Sequence, residues 1–309
     1  MLHRKHLLEK IKEHKAKRVL IQIPEGLKSS VQKLSDFLEK NNLEVLISVE
    51  PCYGACDLRN REAMALGCDM IIHIGHTDFG LNSDIPVIYE DYEIKVNPVP
   101  LLKKNIFKLK PYKKIALLST IQFLSSLDKA KRFLEKQGKE VVIGRSVKGK
   151  PGQVLGCDYS AALSVEAECY LFIGSGKFHP LGLAMDVEEP VFFLDIERRE
   201  MINLEKEKER MQRIKFAHLY KAKSCKRFGI LLSTKPGQMK TNIALHIKKK
   251  LNSKKRKAWI LVADEITPEK LLGLKLDCLV DCACPRIADD FSIFKKPVLK
   301  PEDIDRLWP

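Results

Sequence analysis

The sequence lacks an apolar run long enough to cross a membrane, and its first residues lack the apolar core of a signal peptide. A spanning helix needs about 18 to 20 predominantly apolar residues, whereas residues 1–18 carry charges throughout. We therefore expect a cytoplasmic protein without a membrane span.

Aromatic residues are scarce, at 7%, and acidic residues are fewer than basic ones, at 40 against 55. Hydrophobic residues still make up 45% of the 309 positions, which excludes a disordered or collagen-like chain and favours two or three packed domains. The formal charge of +15 leaves open a basic protein that binds RNA or the ribosome. A surface rich in Lys and Glu is also typical of heat-adapted proteins.

Short apolar, β-rich runs alternate with helical patterns along the chain, which is typical of parallel α/β units. Three similar segments begin with such runs, at residues 18–23, 114–119 and 227–233. We predict an internal triplication, with three similar parallel-sheet α/β domains around a central site. The predicted domains span residues 1–100, 101–200 and 201–309.

Three further strands follow in each predicted domain, and a helix rich in charge is predicted to join the second domain to the third. The predicted strands are 44–49, 68–75 and 85–89 in the first domain, 140–144, 167–174 and 190–194 in the second, and 257–263, 276–282 and 297–299 in the third. The predicted connecting helix is 201–223. In such units the loops beyond the carboxyl ends of the strands form the ligand crevice.

Nine cysteines without a secretion signal argue for a metal, a cluster or a catalytic thiol rather than for disulfides. Cys68, Cys169 and Cys278 fall in or beside the third strands, where a small apolar side chain packs well in a core. Cys225 lies in a basic stretch and has no evident role. The other five lie at or after strand ends, in loops with Gly and Pro: Cys52, Cys56, Cys157, Cys282 and Cys284.

Two metal centres can be drawn from these five cysteines. Cys52, Cys56, Cys282 and Cys284 give a four-thiolate zinc site on paper, but the single residue between the last two is too short an interval, and Cys157 is left out. One cysteine from each repeat is the more economical assignment. Three thiolates hold three irons of a [4Fe-4S] cluster and leave the fourth iron open to a substrate.

Several other loops combine glycine with polar residues, which suits either simple turns or a small polar ligand. IPEGL follows the first strand of the first repeat, and STKPGQ occupies the same place in the third. GSGKFHPLG follows the third strand of the second repeat and matches neither the P-loop nor the GxGxxG pattern. His76 and Asp78 are candidates for polar site residues or for turn residues.

Taken together, IPEGL, PCYGACD, ALGCDMIIHIGHTDFG, VLGCD, GSGKFHPLG, STKPGQ and DCACPR resemble the archaeal 2-(3-amino-3-carboxypropyl)histidine synthases, a family that performs the first step of diphthamide biosynthesis. The resemblance extends over nearly the whole chain. It implies that Cys56, Cys157 and Cys284, one from each domain, bind a [4Fe-4S] cluster. Cys52 and Cys282 have no role in that family.

The resemblance also implies a reaction. S-adenosylmethionine is the co-substrate, and an electron from the reduced cluster cleaves its bond from sulfur to the γ-carbon. The resulting 3-amino-3-carboxypropyl radical adds to C2 of a histidine of translation elongation factor 2, and methylthioadenosine is released. In agreement, Cys52 and Cys56 have the first spacing of the C-x3-C-x2-C loop of ordinary radical enzymes, but Arg59 stands where the third cysteine belongs.

The same resemblance implies a homodimer and an electron donor that the sequence does not identify, with no direct need for nucleic acid. We expect contacts to S-adenosylmethionine from loops of all three domains: Glu25, Gly26, Gly176, Phe178, His179, Gln238 and Arg286. Arg286 suits a bidentate contact with the methionyl carboxylate or a salt bridge to Asp289 or Asp290.

Two other functions remain open from the sequence. One is an enzyme like quinolinate synthase, whose family also builds three similar α/β domains around a three-cysteine [4Fe-4S] cluster. The other is a basic RNA-binding or ribosome-binding protein with structural zinc, which the charge of +15 favours.

Overall fold

The computed structural model describes residues 4–289 and 291–308. Its strands are β1 (Arg18–Gln22), β2 (Glu44–Ile47), β3 (Met70–Ile74), β4 (Val87–Glu90), β5 (Lys114–Ser119), β6 (Glu140–Val142), β7 (Cys169–Gly174), β8 (Val191–Asp195), β9 (Glu200–Asn203), β10 (Arg227–Ser233), β11 (Lys257–Ala263), β12 (Cys278–Asp281) and β13 (Val298–Leu299).

The α-helices are α1 (Arg4–Glu13), α2 (Lys28–Glu39), α3 (Asn60–Ala65), α4 (Val99–Asn105), α5 (Leu127–Lys136), α6 (Ser160–Leu163), α7 (Phe178–Asp186), α8 (Glu205–Ala222), α9 (Thr241–Ser253), α10 (Pro285–Asp289) and α11 (Ile304–Leu307). Turns of 3₁₀ helix lie at Glu25–Leu27, Ile106–Leu109, Ile121–Ser126, Pro236–Gln238, Glu269–Leu271, Phe291–Phe294 and Pro301–Asp303. Across the described residues, no helix is long and apolar enough to span a membrane.

The strands form three sheets with the same order of the first four strands. The orders are β2-β1-β3-β4, β6-β5-β7-β8-β9 and β11-β10-β12-β13. All neighbours pair in parallel except β9, which runs antiparallel to β8. The predicted class of three parallel-sheet α/β units is therefore confirmed. In this strand order the ligand crevice lies at the carboxyl ends of the first and third strands.

Each first strand is apolar on both faces because its sheet is covered on both sides. In β1, Val19 and Ile21 belong to one buried cluster, while Leu20 between them belongs to another. In β5 the pattern repeats, since Leu117 and Ala116 face opposite clusters. Alternate residues of a strand point to opposite faces, so burial of both faces requires a continuous apolar run. This is why the apolar runs located these strands in the sequence.

An acidic residue just before each third strand ties it to the start of the first strand. Asp69 Oδ2 accepts hydrogen bonds from the backbone N–H groups of Lys17 and Arg18, at 2.7 and 2.8 Å. Glu168 accepts in the same way from residues 113 and 114, and Asp277 from residues 226 and 227. The three repeats thus share a side-chain bond as well as a strand order, which strengthens the case for triplication.

The predicted connecting helix 201–223 is wrong at its beginning. Residues Glu200–Asn203 form β9, and α8 begins only at Glu205. Met201 and Ile202 pack into clusters on opposite faces of the sheet, which is the alternation of a strand. This two-residue alternation is too short to stand out in the sequence, because the charged residues of the helix follow it directly.

The chain packs as two compact units, Met1–Glu205 and Lys206–Pro309. The first contains the sheets of β1–β4 and β5–β9, and the second contains the sheet of β10–β13. Within the first unit, the Gln122 side-chain N–H₂ donates a hydrogen bond to the Gly75 carbonyl at 2.9 Å, and the Gln122 backbone carbonyl accepts one from the Ile94 N–H. The finer boundaries at residues 100 and 200, and the central site, remain predictions.

Candidate metal and ligand site

The three cysteines of the expected cluster each follow a strand. Cys56 follows β2, Cys157 follows β6 and Cys284 follows β12. Because the neighbouring strands are parallel, each cysteine lies at the carboxyl edge of its own sheet. The third repeat carries its cysteine after the third strand, whereas the first two carry it after the second. The three cysteine loops therefore share the carboxyl edge of their sheets, but they do not follow the same strand of the repeat.

Burial separates these three cysteines from all the others except Cys225. Cys157 is exposed, and Cys56 and Cys284 are partly exposed. Cys169 and Cys282 are fully buried, and burial is the main cause that raises the pKa of each thiol to about 12. Both thiols therefore stay protonated at neutral pH in the folded chain, and neither side chain is accessible. Between the neighbours in DCACPR, the structure favours Cys284.

The predicted core cysteines are confirmed as buried, since Cys68, Cys169 and Cys278 are at most 6% exposed. Cys225 is partly exposed, but it precedes β10 and lies at the amino edge of that sheet. A hydrogen bond with Cys278 is the main cause that lowers the pKa of the Cys225 thiol. Exposure alone would therefore not have selected the three cysteines, whereas exposure and sheet edge together do.

Cys157 lies at the tip of a tight turn, in which the backbones of Leu155 and Asp158 bond to each other at 2.9 and 3.2 Å. The Phe178 ring packs directly on Gly156 in this turn. A Cβ on Gly156 would lie 2.6 Å from Phe178 Cε1, so the close approach requires glycine. The structure thus brings Phe178 beside the Cys157 loop.

The other predicted contacts of the second repeat lie in the same turn into α7. The His179 ring meets the Phe178 ring edge to face, with centroids 5.0 Å apart. Gly176 has a φ of +73°, which other residues rarely adopt, and nothing lies within 4 Å of its missing Cβ. Its role is therefore conformational, and the space beside it is open.

Glu25 and Gly26 lie exposed in the 3₁₀ turn after β1. Lys28 Nζ contacts Glu25 Oε1 at 2.5 Å and also donates to the Val49 carbonyl at 2.8 Å. Val49 belongs to the loop that leads to Cys56. Lys28 therefore ties the IPEGL turn to the cysteine loop of the first repeat.

In the second unit, Gln238 and Cys284 both follow strands of the third sheet. Gln238 is buried in the 3₁₀ turn after β10. Asp281 Oδ1 accepts a hydrogen bond from the Ala283 N–H at 2.9 Å and fixes the turn into Cys284. Arg286 is exposed in α10. The alternative salt bridges from Arg286 to Asp289 or Asp290 lie outside the described part of the chain, which does not include Asp290 or the side chain of Asp289.

Sequence reasoning missed one cluster in the first unit. Cys52 Sγ lies 3.8 Å from His73 Nε2 and 4.0 Å from His76 Nδ1, and the two nitrogens are 3.0 Å apart. Burial is the main cause that lowers the pKa of His73 to about 3 and that of His76 to about 4, and His179 adds to the effect on His76. Both imidazoles are therefore neutral at pH 7. The signal in the sequence was a histidine within the otherwise apolar run MIIHI.

Fold and site together define an α/β protein that presents accessible thiols at the carboxyl edges of parallel sheets, where such folds bind their ligands. A family model for diphthamide synthesis proteins matches residues 23–307. The chain belongs to this family, and the resemblance noted in the sequence is confirmed.

Relatives cover nearly the whole chain. The 2-(3-amino-3-carboxypropyl)histidine synthase of Pyrococcus horikoshii is 41% identical over 314 residues, which span 99% of this chain and 91% of that protein. The synthase of Methanocaldococcus jannaschii is 31% identical over 309 residues, covering 93% and 83%. A crystal structure of Dph2 from Pyrococcus horikoshii with a 4Fe-4S cluster matches with a TM-score of 0.94 at 40% identity, covering 99% of this chain and 90% of that one. This chain thus belongs to a family of transferases, and the prediction of an enzyme is confirmed.

Proposed function

We propose that this protein transfers the 3-amino-3-carboxypropyl group of S-adenosylmethionine to C2 of a histidine of translation elongation factor 2, the first step of diphthamide biosynthesis. Cys56, Cys157 and Cys284 bind a [4Fe-4S] cluster in this proposal. The observation that carries it is the match, along almost the entire chain, to a Dph2 whose crystal structure contains such a cluster. Family membership also decides against the quinolinate-synthase-like and RNA-binding alternatives.

The donor set of this chain fits an iron–sulfur cluster. Cluster irons take thiolate ligands, and each repeat offers an accessible cysteine at the carboxyl edge of its sheet. Cys282, two residues before Cys284, is fully buried and offers no accessible sulfur to a cluster at the edge of the sheet. When bound, the cluster supplies the electron that cleaves the bond from sulfur to the γ-carbon of S-adenosylmethionine, and methylthioadenosine is the leaving group.

The residues of the chain bind and orient the co-substrate in this proposal. Phe178 lies beside the Cys157 turn, and the open space at Gly176 admits a ligand close to the backbone. Glu25 and Arg286 are exposed charges suited to the amino and carboxylate groups of the methionyl part. Gly26, His179 and Gln238 complete the proposed contacts. Their common task is orientation, because small displacements of reacting atoms change rates by about a hundredfold.

The proposal extends to partners and place. The protein works in the cytoplasm as a homodimer and takes its electrons from a separate donor. Elongation factor 2 is the protein substrate, and no nucleic acid is required. The formal charge of +15 assists the encounter rather than the chemistry, since surface charge mainly changes association rates.

Product analysis tests the proposed reaction. Anaerobically reduced protein is incubated with S-adenosylmethionine, with and without elongation factor 2, and the nucleosides are separated. We expect methylthioadenosine, together with a factor histidine heavier by about 101 Da, the mass of the group that the cofactor-dependent step transfers. Deoxyadenosine as the main nucleoside would contradict the proposal, because it reports cleavage at the ribose carbon.

A further inference from the structure

A hydrogen-bond chain fixes which nitrogen of His73 carries the proton. The Gln22 side-chain N–H₂ donates a hydrogen bond to the Asp57 carbonyl. The side-chain oxygen of Gln22, Oε1, therefore faces away from Asp57. That oxygen accepts from the Arg59 N–H at 3.2 Å and lies 3.2 Å from His73 Nδ1. An amide oxygen only accepts, so Nδ1 of His73 carries the proton. The lone pair of His73 therefore sits on Nε2.

The His73 lone pair lies beside two other side-chain atoms that can coordinate a metal ion. Cys52 Sγ and His76 Nδ1 lie 3.8 and 3.0 Å from His73 Nε2, and 4.0 Å from each other. A tetrahedral zinc ion holds a sulfur and a nitrogen ligand about 3.6 Å apart and two nitrogen ligands about 3.3 Å apart. The three observed separations depart from these values by less than half an ångström. The described side chains thus already have the spacing of one face of a zinc tetrahedron.

The surroundings match those of a metal ligand set. Metal-bound histidines usually donate their second ring N–H to an oxygen, which here is Gln22 Oε1. The Tyr89 ring packs on His73 with centroids 5.2 Å apart, and the Tyr89 hydroxyl is buried without a hydrogen-bond partner in the described structure. A water on the fourth metal position would give this hydroxyl a partner, as buried polar groups require.

We propose that Cys52, His73 and His76 bind a Zn²⁺ ion, with the fourth position taken by water beside Tyr89. One thiolate and two neutral imidazoles suit zinc, whereas magnesium and calcium prefer oxygen ligands. The ion ties the beginning of the PCYGAC loop to the end of β3 and so positions Cys56, four residues further on. The site uses none of the proposed cluster cysteines and does not depend on the proposed function.

Cobalt titration tests this site directly, because Co²⁺ occupies zinc sites and its bond to a thiolate absorbs in the near ultraviolet. The wild-type chain and a C56A/C157A/C284A variant are stripped with a chelator and titrated with Co²⁺ and then with Zn²⁺. We expect the triple variant to bind about one Co²⁺ per chain with this absorption and to release it to Zn²⁺. Loss of the band in the triple variant would overturn the proposal, since the metal would then sit on the cluster cysteines.

Single variants in the triple background locate the ion. C52S and H76A should each weaken cobalt affinity at least about tenfold, and C225S, which changes a partly exposed cysteine at the other edge of a sheet, should leave it unchanged. His76 is only partly buried, so H76A keeps the test valid even where C52S does not fold by circular dichroism. Undiminished affinity in folded H76A, or binding of copper with exclusion of zinc, would refute the assignment.

Discussion

Replacing Gly156 by alanine tests how the Cys157 turn is held. The new Cβ would lie 2.6 and 2.9 Å from two atoms of the Phe178 ring, closer than carbon atoms approach, so the ring or the turn must move. Overpacking of this kind typically costs about 1–3 kcal/mol of the free energy of unfolding. At Gly26 nothing lies within 4 Å of the missing Cβ, and Gly26→Ala should instead stabilise by about 0.4–1 kcal/mol.

A double-mutant cycle assigns the cost to the ring. We expect Gly156→Ala to cost less than about 0.5 kcal/mol in a Phe178→Ala background, because the atoms that it would strike are gone. Chemical denaturation followed by circular dichroism measures all four proteins, and iron content after reconstitution reports on the Cys157 turn. An equal cost of Gly156→Ala in both backgrounds would refute the contact. So would a Gly156→Ala protein that is as stable as the Gly26→Ala control.

Two further predictions concern charge. Hydrogen bonds from the Arg227 side chain are the main cause that lowers the pKa of Asp277 from an ordinary 3.8 to about 2. The ionised carboxylate therefore stabilises the fold. This stabilisation is fully present above about pH 4 and is lost as the pH falls through 2. Asp277→Asn should therefore reduce the fall in melting temperature between pH 5 and 2, whereas the same substitution at the exposed Asp36 should leave that fall unchanged. Equal acid sensitivity of the Asp277→Asn variant and the wild type would contradict a stabilising bond between Arg227 and Asp277. Raising the ionic strength at fixed pH should raise the KM for elongation factor 2, because salt screens surface charge beyond about 10 Å at 0.1 M; a constant KM would exclude charge steering.

The fold could be predicted from the sequence where burial imposes a simple pattern. Strands such as β5 and β10 are apolar on both faces, so their runs were found with the correct bounds. β9 was missed because its buried Met201 and half-buried Ile202 precede a long charged helix. The hydrogen bonds that Asp69 and its two equivalents accept from the first strands could not be predicted, because an acidic residue before a strand looks the same in the sequence as an ordinary turn residue.

The site was only partly predictable for a different reason. The loops of Cys56, Cys157 and Cys284 stood out through their glycines and prolines, and the choice among the cysteines came from the family resemblance. Burial then separated Cys284 from Cys282, which no spacing rule does. The cluster of Cys52 with His73 and His76 depends on a parallel sheet that brings the end of β3 to the cysteine loop. The histidine in the apolar run MIIHI was a signal for a polar site, but nothing in the local sequence indicates its contact with Cys52.

Iron and sulfide analysis of cysteine variants, purified without oxygen, shows whether one cysteine from each repeat binds a cluster. Wild-type protein should contain about four irons and four sulfides per chain, as a [4Fe-4S] cluster requires. Cys56→Ala, Cys157→Ala and Cys284→Ala should each lose most of the iron, the sulfide and the visible absorbance, whereas Cys225→Ala should keep them. Wild-type protein without sulfide, or a Cys157→Ala variant with its full iron content, would contradict a cluster bound by one cysteine from each repeat.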